Sequence, residues 1–363
     1  MKALALLLAL LALVTTQSAN GRRINGKNGW YIPHANGSFI WMSMGRVNKK
    51  MELYRTIKPR ADSKSISYKL YTRSQIQDLR PIKASIKKTD YDSALETRII
   101  IHGWNQNYLT PRVAAMAKAW VSKRNYNVIV VDWRDSESML YFPSVLAVPG
   151  VGKRIAKMIM FLSNNFQLNL KNLTIIGNSL GAQVAGFVGK ALGNGRVRNI
   201  VALDAAAPLF DEDNENDRIS AQDAAYVEGI HTNAGHYGLV KPFGHSDFYP
   251  NGGEIQPNTK DKALSHNRAV DYYVEAVRND CYSTVLCKSL IGALEKSCGK
   301  KRSKVRMGSI SNDLHIRGIY YVPVNAKEPY GELCSTKTIK IKRKKSRIAK
   351  KLQKRKRNKR RRN

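Results

Sequence analysis

The sequence is short of acid. Against 62 Lys and Arg it carries 27 Asp and Glu, a formal charge of +35 over 363 residues. A balance of that sign points to polyanionic partners or surfaces and says nothing about fold. Cysteine is scarce too: four residues, Cys281, Cys287, Cys298 and Cys334, too scattered for a zinc-ligand spacing. No internal repeat is visible. After the first twenty residues no run approaches the roughly 18 apolar residues of a spanning helix, so the remainder reads as soluble or peripherally bound. Nothing resembles a base-reading module, so sequence-specific nucleic-acid binding is not expected. Apolar and aromatic residues, by contrast, are plentiful. They make up 43 % hydrophobic content with five Trp and seventeen Tyr, which excludes wholesale disorder and implies a sizeable core. The length suits one large α/β domain with extras.

The ends of the chain differ from its body. Met1 and Lys2 precede an unbroken apolar run from Ala3 to Val14, followed by Thr15, Thr16, Gln17, Ser18 and Ala19. A positive start, a short apolar stretch and small residues after it describe a secretory signal peptide over residues 1–19, cleaved near Ser18 or Ala19. Secretion makes the four cysteines candidates for two disulfides, with three pairings open. Asn36-Gly37-Ser38 and Asn172-Leu173-Thr174 are glycosylation acceptors of the same route. At the other end, 17 of the 27 residues in 337–363 are Lys or Arg and none is acidic, so +18 of the +35 belongs to the rest. That composition reads as a disordered, solvated charge run. Residues 20–336 are left as the folded domain.

Within it, short apolar runs alternate with helical patterns. Arg98–Ile101, Asn127–Val131, Leu173–Ile176 and Asn199–Leu203 are apolar on both faces, as buried parallel strands are. Val113–Val121 and Gly152–Leu162 carry apolar residues at three-to-four spacing, and Leu180–Leu192 is small and apolar. The alternation predicts βαβ units and a mostly parallel sheet covered on both faces.

One turn carries chemistry. Gly177-Asn178-Ser179-Leu180-Gly181 follows a strand and opens a helix, the nucleophile-elbow pattern. Such a turn presents the serine hydroxyl near the positive end of a helix, with the next amide free to bind an oxyanion. A serine needs a base, and the base an orienting acid. On this kind of sheet the acid and then the histidine follow in sequence. Asp204 ends the next strand on the same rim. His266 comes later, on a connection before a helical stretch from Ala269 to Val277. Order alone leaves His231, His236, His245 and His315 as competitors.

The sequence resembles the pancreatic-type lipase family, in particular its short-lidded insect lipases and phospholipases A1, from about Asn25 to Gly331. The resemblance rests on Ile101-His102-Gly103-Trp104, Val131-Asp132-Trp133, the elbow continuing to Gly186, and Leu203-Asp204 with Pro208. It continues through His231-Thr232-Asn233, Asp247-Phe248-Tyr249-Pro250-Asn251-Gly252-Gly253 and Ser265-His266-Asn267-Arg268. It implies an α/β-hydrolase fold, Ser179 as nucleophile, His266 as general base and acid, and Asp204 as the residue orienting His266. It further implies an oxyanion hole from the backbone N–H groups of Trp104 and Leu180, and Cys287 paired with Cys298, which leaves Cys281 with Cys334. No cofactor is implied.

The departures from the family pattern carry information. Asn178 stands where His is usual, Gln183 is a second change, and Ala205 and Ala207 replace Pro and Gly after the acid; these read as tuning the packing of the elbow. Thr259 and Leu264 stand where two cysteines close a lid, and a connection of four residues cannot cover a lipid-sized cleft at roughly 3.5 Å per residue. In this the sequence resembles phospholipase A1-like members, whose open site implies lipids with polar headgroups in preference to triglyceride. Some members bind calcium after the catalytic acid, and Glu215, Arg218 and Asp223 roughly fit, but Ser220 replaces an expected carboxylate ligand. A solvated acidic loop is the reading preferred there. Where the family often adds a C-terminal β-sandwich, only the basic tail stands. It reads as an attachment to anionic membrane surfaces, with Ile341, Ile348 and Leu352 on one face if helical, or to sulfated glycans or extracellular nucleic acid through counterion release. The expected function is a secreted, extracellular serine esterase acting on lipids. The rival is a catalytically silent secreted lipid- or polyanion-binding protein on the same fold.

Overall fold

The four runs that are apolar on both faces become the centre of a sheet. The computed structural model describes residues 22–56, 66–136 and 138–334; the leader at 1–19 and the basic tail at 337–363 lie outside the described residues. In chain order the strands are β1 (Gly29–Pro33), β2 (Phe39–Ser43), β3 (Ser67–Tyr71), β4 (Ile76–Leu79), β5 (Thr97–Ile101), β6 (Asn127–Asp132), β7 (Leu173–Asn178), β8 (Asn199–Leu203), β9 (Tyr226–Ile230), β10 (Ser246–Pro250), β11 (Val285–Cys287) and β12 (Gly318–Val322). β1 and β2 form a separate antiparallel hairpin. The other ten lie in one sheet in the order β11-β12-β10-β9-β8-β7-β5-β6-β3-β4. Its middle, from β12 to β6, is parallel. Antiparallel strands close both edges, β11 at one and β3 with β4 at the other.

Alternation along each strand feeds two cores. Ile99, Ile101, Ile129, Val131 and Ile175 face the helices Tyr141–Phe166 and Leu180–Leu192. Ile100, Val128, Val130, Ile176 and Val201 face the helices Pro111–Lys123 and Lys262–Asn279. Burial of both faces is why these strands read as continuous apolar runs. β9 and β10 do not read that way, because they bury acidic side chains that find partners. Glu228 accepts from the Gly308 amide at 2.7 Å. Asp247 accepts from the amides of Phe243 and Gly244 at 3.2 and 3.0 Å.

Two boundaries correct the sequence reading. The helix expected over Gly152–Leu162 begins at Tyr141 and ends at Phe166, Pro149 included. His266 is not on a connection: it lies within the helix Lys262–Asn279, whose start is set by Asp261. The Asp261 carboxylate accepts from the Ala263 and Leu264 amides at 2.8 and 3.3 Å, satisfying two donors the first turn leaves open.

The end of the domain is tied by two disulfides. Cys281 bonds Cys334, 53 positions further along the chain, with Cα atoms 5.1 Å apart. Cys287 bonds Cys298, with Cα atoms 4.8 Å apart. No described helix is long and apolar enough to cross a membrane.

Candidate active site

β7 ends in the turn expected from the glycine pattern. Ser179 has φ +56° and ψ −122°, a backbone conformation rare for a residue with a side chain and stored only where the surroundings hold it. A Cβ on Gly177 would stand 2.2 Å from the Gly181 carbonyl oxygen, and one on Gly181 would stand 2.3 Å from that of Ile101. Both positions therefore need glycine for the helix to start this close to the sheet. Ser179 is also fastened to the next strand. Its amide donates to the Leu203 carbonyl at 3.0 Å, and its carbonyl accepts from the Ala206 amide at 3.2 Å. Asp204 lies between those two anchors, itself at φ +46°.

Asp204 and His266, 62 residues apart in sequence, meet at the carboxyl end of the sheet. His266 Nδ1 is 2.5 Å from Asp204 Oδ2. The other oxygen, Oδ1, accepts from the amides of Thr232 at 2.7 Å and Asn233 at 3.0 Å. The carboxylate is thus held at both ends, and a buried acceptor with this many donors keeps one orientation. The Thr232 hydroxyl donates to the His266 carbonyl at 3.2 Å. Tyr237 stacks on the imidazole, ring centroids 5.0 Å apart.

The turn after β5 lies beside the serine: a Cβ on Gly103 would stand 3.0 Å from that of Ser179. Its polar groups are spoken for on most sides. The His102 carbonyl accepts from the Trp133 indole at 2.9 Å. The Gly103 carbonyl lies 2.8 Å from His102 Nδ1, while His102 Nε2 lies 3.1 Å from the Trp133 amide and 3.3 Å from Asp132 Oδ1. The Gly103 amide donates to Gln106 at 3.0 Å. The Trp104 side chain is fixed by its indole N–H on the Ser138 carbonyl at 2.8 Å and by an edge contact with Tyr141. No described residue accepts from the backbone amide of Trp104 or of Leu180.

The competing histidines have other partners. His231 Nε2 faces Asp247 Oδ1 at 2.9 Å and its Nδ1 the Leu239 carbonyl at 3.0 Å. His245 Nδ1 accepts from the Val227 amide at 3.0 Å. His236 lies 3.4 Å from Glu254, and His315 is exposed. Of the residues singled out for calcium, Glu215 is exposed on a short turn. Arg218 donates to the carbonyls of Glu212 and Ile219. Asp223 is buried against the Lys190 ammonium at 2.6 Å and the Ser220 amide at 2.8 Å, so its cation is a side chain. The two departures at the elbow are structural. Asn178 donates to the Leu203 carbonyl at 3.2 Å, and buried Gln183 bridges the Ala206 carbonyl at 2.6 Å and the Ile219 amide at 2.9 Å.

Tyr237 and Gly238 were not visible as site residues in the sequence, where they sit in an unpatterned loop. The only local signal is the segment Gly235-His236-Tyr237-Gly238, an aromatic enclosed by glycines.

A mostly parallel sheet with helices on both faces and a strand-turn-helix serine at its carboxyl rim defines the class: this is an α/β hydrolase. A profile of the Lipase family matches residues 42–330, and the chain belongs to that family. It is 32 % identical to phospholipase A1 VesT1.02 of Vespa tropica, over 77 % of this chain and 94 % of that protein. It is 31 % identical to a phospholipase A1 of Vespa crabro, over 72 % and 90 %. With pancreatic lipase-related protein 2 of Cavia porcellus it shares 32 % identity over 64 % of this chain and 52 % of that protein. The chain is accordingly a carboxylic ester hydrolase of lipid esters.

Proposed function

We propose that this chain is a secreted serine esterase that cleaves an acyl ester of a polar-headed lipid, a phospholipid or galactolipid in preference to triglyceride. Ser179 Oγ attacks the ester carbonyl while His266 takes its proton. Asp204 keeps the imidazole in the required tautomer and supports the positive charge it acquires. The oxyanion is received by the amides of Trp104 and Leu180. His266 then returns the proton to the leaving alcohol, and water, activated by the same imidazole, clears the acyl-enzyme.

One observation carries this reading: a doubly held Asp204 carboxylate sits 2.5 Å from His266 Nδ1, with Ser179 pinned to the backbone on both sides of that aspartate. Two amides at the same rim, for which no described residue is an acceptor, support the oxyanion site. The short connection from Gly253 to the helix at Lys262 supports an open cleft and so a polar headgroup. The leader-like sequence at 1–19 and the two disulfides support secretion.

The test uses purified protein and its Ser179→Ala variant. Wild type should hydrolyse a short-chain phospholipid or galactolipid faster than a matched triglyceride and be labelled by an active-site serine phosphonate. Ser179→Ala should lose the label and about 10³-fold or more in rate. Failure of the wild type to turn over any acyl ester or take the label would return the chain to a silent lipid- or polyanion-binding role.

A further inference from the structure

The turn after β5 owes its shape to one buried ring. His102 is fully buried, and its side chain bridges two stretches of backbone. Nε2 accepts from the Trp133 amide at 3.1 Å, and Nδ1 lies 2.8 Å from the Gly103 carbonyl oxygen. A carbonyl oxygen has no proton to give, so that contact requires the proton on Nδ1. Asp132 Oδ1, 3.3 Å from Nε2, is the competing partner. Moving the proton from Nδ1 to Nε2 to serve it would leave two acceptors in contact at the Gly103 carbonyl. His102 therefore donates to Gly103. Trp133 holds the ring in place: the two rings stack with centroids 5.6 Å and planes 17° apart, and the indole N–H donates to the His102 carbonyl at 2.9 Å.

That bond fixes more than the carbonyl. The Gly103 carbonyl and the Trp104 N–H belong to one peptide unit, planar and trans, so the two groups point in opposite directions. Holding the oxygen on the His102 side turns the N–H the other way, and no described residue accepts from it. The preceding peptide is committed as well, since the Gly103 amide donates to Gln106 Oε1 at 3.0 Å. A Cβ on Gly103 would stand 3.0 Å from that of Ser179, so the peptide whose tilt His102 restrains begins against the serine.

We propose that His102 is a positioning residue: by donating from Nδ1 to the Gly103 carbonyl, it aims the Trp104 N–H at the oxyanion that forms when Ser179 attacks. The inference rests on the hydrolytic reading above and adds to it the side chain that sets one of the two donors. His102 does not touch substrate, because it is buried and both its ring nitrogens are occupied. An oxyanion donor contributes fully only when it is already aligned with the charge that develops. A loosened peptide therefore lowers kcat and spares ground-state binding of the ester, whose carbonyl oxygen carries little charge.

The experiment separates the two ring nitrogens in the full protein. An Asn amide lies as many bonds from Cβ as Nδ1 does, and a Gln amide as many as Nε2. His102→Asn therefore keeps the donor to Gly103, and His102→Gln removes it. On a monomeric short-chain p-nitrophenyl ester, His102→Gln should lose about 10- to 100-fold in kcat, part of the cost of deleting an oxyanion donor outright. Its KM should stay within about twofold of wild type. His102→Asn should keep kcat within about threefold, because the hydrogen bond is retained. The pH at which kcat/KM rises as His266 loses its proton should be the same in all three proteins, since the Asp204–His266 pair is untouched. Equal losses in the two variants, no loss in either, or a raised KM or displaced pH profile in His102→Gln overturns the proposal. Should His102→Gln fail to fold, His102→Asn decides: kcat near wild type supports the proposal, and a loss of about tenfold or more overturns it. Crystal structures of wild type and His102→Gln give a readout independent of turnover. The Gly103–Trp104 peptide should be rotated in the variant, and an unrotated peptide overturns the proposal. Should wild type turn over no ester, the hydrolytic reading fails by itself, while a rotated peptide still assigns His102 its hold on the Trp104 amide.

Discussion

Tyr237 lies across the imidazole of His266, with ring centroids 5.0 Å apart and planes 25° apart. The tyrosine comes from the loop between β9 and β10, the histidine from the helix Lys262–Asn279. Asp204 holds one ring nitrogen, and Tyr237 restricts how the ring tilts about that bond. Burial, with Asp261 beside it, pushes the Tyr237 hydroxyl above its ordinary 10, so the stacking partner is a neutral ring at working pH.

Tyr237→Ala should therefore lower kcat on a soluble ester by about three- to tenfold, the worth of one aromatic pair. Tyr237→Phe should stay close to wild type, because the hydroxyl reaches only the Gly37 carbonyl at 3.4 Å. Steady-state kinetics of the two variants measures the contribution of the ring separately from that of the hydroxyl.

Gly238 has no room for a side chain on the Asp204 side. A Cβ there would stand 2.5 Å from Asp204 Oδ1, the oxygen that accepts from Thr232 and Asn233. Gly238→Ala should displace the carboxylate and cost about 100-fold in kcat, the usual penalty for an ångström of misplacement. Asp204→Asn, which leaves shape but presents the wrong hydrogen-bonding group to His266, should cost about 10⁴-fold. Both variants are read against an unchanged far-ultraviolet circular dichroism spectrum; activity near wild type in Gly238→Ala would mean that the loop yields and the carboxylate does not.

Glu228 makes stability depend on pH in an unusual direction. Burial, with Asp247 nearby and against the donation from Gly308, pushes its carboxyl up from 4.5 to about 8. Between those values the folded chain keeps a proton that the unfolded chain releases. The contribution of this group to stability is therefore fully present below about 4.5, falls as pH rises toward 8, and is constant above. Glu228→Gln retains an acceptor for the Gly308 amide and removes the titration. Urea midpoints at pH 5 and pH 8 should show the variant gaining on wild type as pH rises; parallel midpoints would place the titration elsewhere.

Much of the fold was legible because its central strands bury both faces and so admit little but Ile, Val and Leu. β5, β6, β7 and β8 read directly, as did the helix that begins at Leu180. β9 and β10 escaped the same reading. Glu228 and Asp247 interrupt their apolar pattern, and only the folded chain brings the Gly308 amide and the Phe243 and Gly244 amides that give those buried carboxyl groups partners. The start of the His266 helix was misplaced for a local reason: Asp261 acts as a cap through its side chain, and the polar run Ser265-His266-Asn267-Arg268 separates the first turn from the apolar pattern that begins at Ala269.

By itself the sequence determined the chemistry on offer: a serine in a glycine-framed turn, an acid at the next strand end, a choice of later histidines, and an excess of positive charge. Tertiary structure decided among them. His231 and His266 each face an aspartate, but the 62-residue closure onto Asp204 belongs to His266, while His231 is consumed by Asp247. It also divided the charge, placing Arg22, Arg23 and Lys262 around one cavity at the start of the His266 helix. The reason is physical. Local pattern reports which surface of a strand or helix is buried, whereas hydrogen-bond partners and electrostatic fields depend on distances between residues that chain order does not contain.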